Sequence, residues 1–260
     1  MATLNLPLDA FYGVLLIFIR VAAIVFSTPV MDSAAVPIVF KAGLALAVST
    51  LLLPVVGATV NLGQLGLMAL AIGIASEVAI GVTIGISVKL LFTGIQLAGQ
   101  IAGYQMGFAV ANVVDPSTSL QIPILAQFYN LTAMLVFLAI DAHHMFFAAL
   151  VDSYAVIPPL SMPIGSQLVG FIMNLAAHMF VVAIKVGAPL IAVMLMVSVG
   201  LGLVARTVPQ IHIFIVAMPV QILIGLATIL VVMPYLTAFL IDLFVAYQHT
   251  LVDLIRLMAG

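Results

Sequence analysis

The sequence has no cysteine and no tryptophan, and its 260 residues include only six Lys/Arg and eight Asp/Glu. Without cysteine there is no disulfide and no thiolate metal site. Without tryptophan, any aromatic belt at a membrane surface must come from Tyr and Phe. A soluble domain carries about 25% charged residues because its surface must be hydrated; here the share is 5%. Most of the outer surface must therefore face lipid or other apolar protein. A formal net charge of −2 offers no basic footprint for nucleic acid. No basic region precedes the first apolar run, so that run is expected to stay in the mature chain.

Apolar sequence fills what is left: 66% of residues are hydrophobic and the mean hydropathy is +1.43. A helix needs about 20 apolar residues to cross the hydrocarbon core. The intervals 90–114, 153–184, 186–205 and 207–241 lack charge for that long. They are apolar all round instead of alternating, which disfavours a transmembrane barrel. The expected fold is all-α: a polytopic membrane protein of six to seven long, kinked apolar helices ending in a long helical hairpin. Segments are placed at 10–30, 38–56, 64–93, 95–112, 124–150, 168–205 and 211–250. Segment 168–205 would run about 57 Å at 1.5 Å per residue, nearly twice a typical core. Pro189, Pro219 and Pro234 fall inside the last two segments, so kinked or broken paths are expected there.

Polar residues inside these runs are the candidate functional groups. Gly73, Glu77, Gly81, Gly85 and Lys89 share an i, i+4 row, whose glycines let a neighbouring helix approach closely. Glu77 and Lys89 stand about 18 Å apart along such a helix and cannot pair with each other. Each needs a partner elsewhere or water, which leaves open an ion relay or pairing between helices or subunits. Lys185 and Arg206 raise the same question, and Arg20 must snorkel or meet an acid such as Asp32. Gln96, Gln100, Tyr104 and Gln105 give the 95–112 segment uncharged polarity beside Gly99, Gly103 and Gly107. That suits either a wall facing a passage or close helix packing. The polar stretch 112–123 follows directly.

Catalytic signatures are missing. Serine-nucleophile, phosphate-loop and dinucleotide-glycine motifs are absent, as is H-E-x-x-H. Asp141, His143 and His144 resemble a metal site only superficially, because adjacent helical histidines point about 100° apart. They read as a polar cluster at a helix end, so neither cofactor nor metal is expected.

Three stretches carry a resemblance: Phe18–Pro37 (FIRVAAIVFSTPVMDSAAVP), Leu97–Asn130 (LAGQIAGYQMGFAVANVVDPSTSLQIPILAQFYN) and Asp141–His144 (DAHH). The chain resembles the FliR/SctT family of type III secretion export-gate subunits, in segment order, over essentially its whole length. Ala142 departs from the glycine more usual in that family. The resemblance implies a non-enzymatic, cofactor-free subunit at the flagellar basal body, in the bacterial inner membrane. FliP-like and FliQ-like subunits would join it in a closed helical ring conducting unfolded flagellar proteins, with an FlhB-like export switch protein nearby. It also implies a FliP-like portion over 1–165, a FliQ-like hairpin over 166–260, and helices partly above the bilayer, covered by sister subunits. Residues 106–122 would then supply a plug at the pore axis. Met106, Gly107, Phe108, Pro116 and Ile122 lie in it, while Asn112, Asp115 and Ser117 keep it wettable. A small-solute channel or secondary transporter is the alternative, resting on Glu77, Lys89 and Lys185.

Overall fold

The computed structural model describes residues 8–29, 31, 36–56, 66–108, 124–161, 166–208 and 213–259. Among these it contains only helices: α1 (Leu8–Ser27), α2 (Ile38–Val56), α3 (Leu67–Gln105), α4 (Ile124–Ala139), α5 (His143–Val156), α6 (Ser166–Thr207) and α7 (Ile213–Ala259). Four of them, α2, α3, α6 and α7, are long and apolar enough to cross a membrane, and α4 with α5 makes a fifth if taken as one broken span. The all-α polytopic expectation holds.

Two boundaries differ from the sequence expectation. Segments 64–93 and 95–112 are one 39-residue helix, α3. Gly94 does not end it, because the residue serves packing: a Cβ there would lie 2.7 Å from the Met179 carbonyl oxygen. Conversely, 124–150 is two helices, interrupted by a turn at 140–142. Asp141 adopts φ 55° there, a left-handed conformation that asparagine and aspartate tolerate better than most residues, so no glycine or proline announces the break. Elsewhere the long reach is real. Helix α6 has 42 residues and α7 has 47, about 63 and 70 Å at 1.5 Å per residue. Both run continuously through their interior prolines.

The helices divide into two compact units, each assembled from several stretches of chain. The first takes residues 1–90, 141–175 and 245–260; the second takes 91–140 and 176–244. The proposed 165/166 boundary concerns likeness to sister subunits, which compactness within one chain does not address.

In the first unit α1 packs along α2, and α2 reaches α5. Its core includes Leu16, Ile17, Val21, Ile80, Ile84, Leu251 and Leu254. The glycine ridge of α3 receives α1. A Cβ at Gly81 would lie 2.7 Å from the Arg20 carbonyl oxygen, and one at Gly85 would overlap the Ser27 side chain. Helix α2 stays largely uncovered: only Ala45 and Ser49 are buried, while Val39 is 79% and Leu51 74% exposed. Apolar surface of that extent belongs against lipid or another protein.

The second unit centres on Phe92, Phe137 and Phe244, whose ring centroids lie 5.3–5.7 Å apart; Phe137 meets both partners edge to face, as aromatic quadrupoles favour, and Phe92 and Phe244 are tilted by 35°. Leu190, Met194 and Leu240 complete this core. A Cβ at Gly99 would stand 2.6 Å from the Leu125 carbonyl oxygen, so α3 and α4 pack backbone to backbone there.

Candidate functional site

Polarity gathers in three places. The first is a buried ion pair. Arg20 Nε donates to Glu77 Oε2 at 2.6 Å and Nη2 to Oε1 at 3.0 Å, a two-pronged match of guanidinium fork and carboxylate. Both side chains are wholly buried. The rest of the fork is also used: Nη1 donates to Ser153 Oγ at 3.1 Å, and Nη1 and Nη2 reach the Ile157 carbonyl at 3.4 Å. The Tyr154 ring lies 3.9 Å beneath the guanidinium carbon, close enough for a cation–π contact. Tyr154 in turn donates to the Ile17 carbonyl at 3.3 Å. Glu77 Oε1 also accepts the Leu160 amide at 3.0 Å, fastening a residue with φ 66°.

Of the two expectations for Arg20, meeting an acid is the one the structure bears out. Its side chain is buried and does not snorkel, and the acid it meets is Glu77; Asp32 lies outside the described residues. Arg20 and Glu77 are each other's counter-charge within one chain, and the network leaves the carboxylate little capacity for an ion relay.

The second place is the C-terminal end of α3. Gln96, Gln100 and Tyr104 follow an i, i+4 row, and Gln100 Nε2 donates to Tyr104 Oη at 3.2 Å. Tyr104 is exposed, whereas Gln96, Gln100 and Gln105 are half-buried. The helix stops through paired backbone bonds, Phe108 N–H to Gly103 O at 3.1 Å and Gly107 N–H to Tyr104 O at 3.2 Å. With Gly107 at φ +87°, this is the six-to-one, five-to-two pattern of a glycine-terminated helix. Met106, the first residue of the expected plug, is fully buried. Its Sδ would lie 2.6 Å from a Cβ at Gly225, so it anchors the helix end and leaves Phe108, half-buried, to lead onward. Asn112, Asp115, Pro116, Ser117 and Ile122 lie outside the described residues.

Lys89, Lys185 and Arg206 do not join the buried pair; each has an exposed side chain. The third place is the turn before α5. Asp141, His143 and His144 offer ligand atoms all within 4.8 Å of one another, and the two imidazole centroids are 4.3 Å apart. That corrects the expectation that the histidines diverge. They open α5, where no preceding turn restricts their rotamers, and the rings swing together.

Long apolar helices and a buried, fully bonded charge pair together define a multi-pass membrane protein whose ion pair serves its architecture. The description "Bacterial export proteins, family 1" matches residues 11–246, and the chain belongs to that family. Among its relatives, the flagellar biosynthetic protein FliR of Bacillus subtilis is 30% identical over 259 residues, 98% of this chain and 99% of that protein. FliR of Escherichia coli K12 is 28% identical over 91% of this chain and 90% of its own length. FliR of Caulobacter vibrioides is 30% identical over 83% and 86% respectively.

Proposed function

We propose that this chain is a structural, pore-forming subunit of the flagellar type III export gate, conducting unfolded flagellar proteins across the inner membrane. It is a multi-pass inner-membrane component of the flagellar export apparatus, a reading supported by its membership of a bacterial export family, its flagellar biosynthetic relatives and its long apolar helices. The observation that carries the finer reading is the surface of the long helices. Along α6 and α7, Met173, Leu195, Met196, Leu203, Leu230 and Val231 are at least 62% exposed, over lengths about twice a 30 Å hydrocarbon core. Lipid alone cannot cover helices of that length, so sister subunits take the remainder. FliP-like and FliQ-like subunits in a ring, with an FlhB-like protein beside it, supply that cover. The chain acts without enzymatic chemistry: Arg20 and Glu77 hold the fold, and residues 106–122 form the plug, fastened at its start by buried Met106.

Co-expression with FliP-like and FliQ-like neighbours tests this reading. One stable, monodisperse complex containing all three is expected after detergent purification. Recovery of this chain alone, with flux of a small solute in liposomes, would favour the transporter alternative. Glu77 gives that alternative little support, since Arg20 and the Leu160 amide already occupy it.

A further inference from the structure

The turn at 140–142 and the start of α5 hold a group of side chains that the export role does not use. Asp141 offers a carboxylate and His143 and His144 two imidazoles, with ligand atoms all within 4.8 Å of one another. Among the described residues, His143 Nδ1 is buried without a hydrogen-bond partner, although buried polar atoms are as a rule satisfied. Asp141 holds a left-handed φ of 55°, and its carbonyl accepts the His144 amide at 3.0 Å. The backbone thus folds Asp141 back over the first turn of the helix carrying both histidines.

We infer that Asp141, His143 and His144 bind a divalent transition-metal ion, Zn2+ foremost. Two nitrogens and one carboxylate oxygen are the donor set of borderline ions such as Zn2+, and a poor one for Ca2+ or Mg2+, which take oxygen cages. Zinc–ligand bonds of about 2.0–2.2 Å place tetrahedral ligands about 3.4 Å apart. Exposed Asp141 and His144 can close that difference by side-chain rotation. Their exposure also leaves a fourth position for water or for a ligand from outside the chain. The positive end of α5 opposes a cation, and the Asp141 carboxylate offsets it. The bound ion would satisfy His143 and lock the turn between α4 and α5.

The test uses untagged, full-length protein in detergent, stripped with a chelator and titrated with Co2+, whose visible bands report tetrahedral nitrogen–oxygen coordination. One Co2+ per chain, displaced by Zn2+, is expected. Changing an outer partner of a metal ligand costs 10–100-fold in affinity, so His144→Ala and Asp141→Asn should each weaken binding by at least about tenfold. Both positions are exposed, and Asn tolerates the left-handed turn, so folding should survive. His178→Ala, at another exposed histidine, should change nothing. Absence of saturable binding by the unaltered chain overturns the proposal; so does binding that His144→Ala and Asp141→Asn leave intact.

Discussion

Arg20 and Glu77, 57 residues apart in sequence, meet through two hydrogen bonds of 2.6 and 3.0 Å with no part of either side chain exposed. One charge comes from α1 and the other from α3, so the pair can form only once those helices are packed. The glycine at Gly81, one turn beyond Glu77, admits the Arg20 backbone. Ion pair and close approach are thus one arrangement: the small residues bring α1 near enough for the guanidinium to reach its carboxylate.

Removing one partner strands the other charge in an apolar interior. Glu77→Gln or Arg20→Ala should destabilise the protein by about 3–5 kcal/mol. That would show as loss of monodisperse protein and a lower melting temperature in detergent. The paired replacement Arg20→Met with Glu77→Leu should recover much of the loss, because a buried ion pair costs desolvation that apolar side chains avoid. If Glu77→Gln alone leaves stability unchanged, the network does not hold this unit together.

A larger side chain on the glycine ridge should act through geometry alone. Gly81→Val would drive a methyl-bearing Cβ to 2.7 Å from the Arg20 carbonyl oxygen, which cannot yield without moving α1. Among the described residues nothing lies within 4 Å of a Cβ at Gly200, and Gly200→Ala should instead be neutral or stabilise α6 by up to about 1 kcal/mol. Thermal melting of the two variants side by side measures the contrast. Equal effects would show that the ridge is not an interface.

Much of the outline was readable from residue order. The bounds of α2 (Ile38–Val56) match the expected 38–56, because Pro37 and Gly57 bracket a run too apolar for water. Helices α6 and α7 were legible for the same reason. Glycine punctuation misled at Gly94, where the missing side chain serves the approach of Met179, not a break. The interruption at Asp141 carries no proline or glycine; the polar cluster of Asp141, His143 and His144 read as a helix end, but not as a break inside the 124–150 run. Pairing of Arg20 with Glu77 was out of reach for another reason. Each residue announces its need for a counter-charge, but which distant residue answers is set by helix packing. The convergence of His143 and His144 likewise depends on their place at a helix start, which shows only once the break is known.

Gly107→Val should shorten or fray the end of α3. The position holds φ +87°, where a β-branched residue is a genuine outlier, and a left-handed conformation costs about 1–2 kcal/mol without glycine's freedom. Gly107→Asn should be tolerated better, since asparagine visits that region. Ranking the two by flagellar motility and complex yield checks this, and the reverse order would argue against the terminating glycine.

Helix α3 ends with Met106 buried and Phe108 half-buried, so the helix end is itself a fixed anchor. On the proposed reading, the plug blocks small solutes while yielding to a passing polypeptide. Deleting 110–120 should therefore leave co-purification with FliP-like and FliQ-like subunits largely intact. It should also raise ion leakage through the membrane, read as conductance in planar bilayers or as sensitivity of growth to salt. Unchanged conductance from an intact complex would mean the seal lies elsewhere. Loss of the complex itself would mean the segment builds the ring and does not merely close it, because the anchor at Met106 and Gly225 is untouched by the deletion.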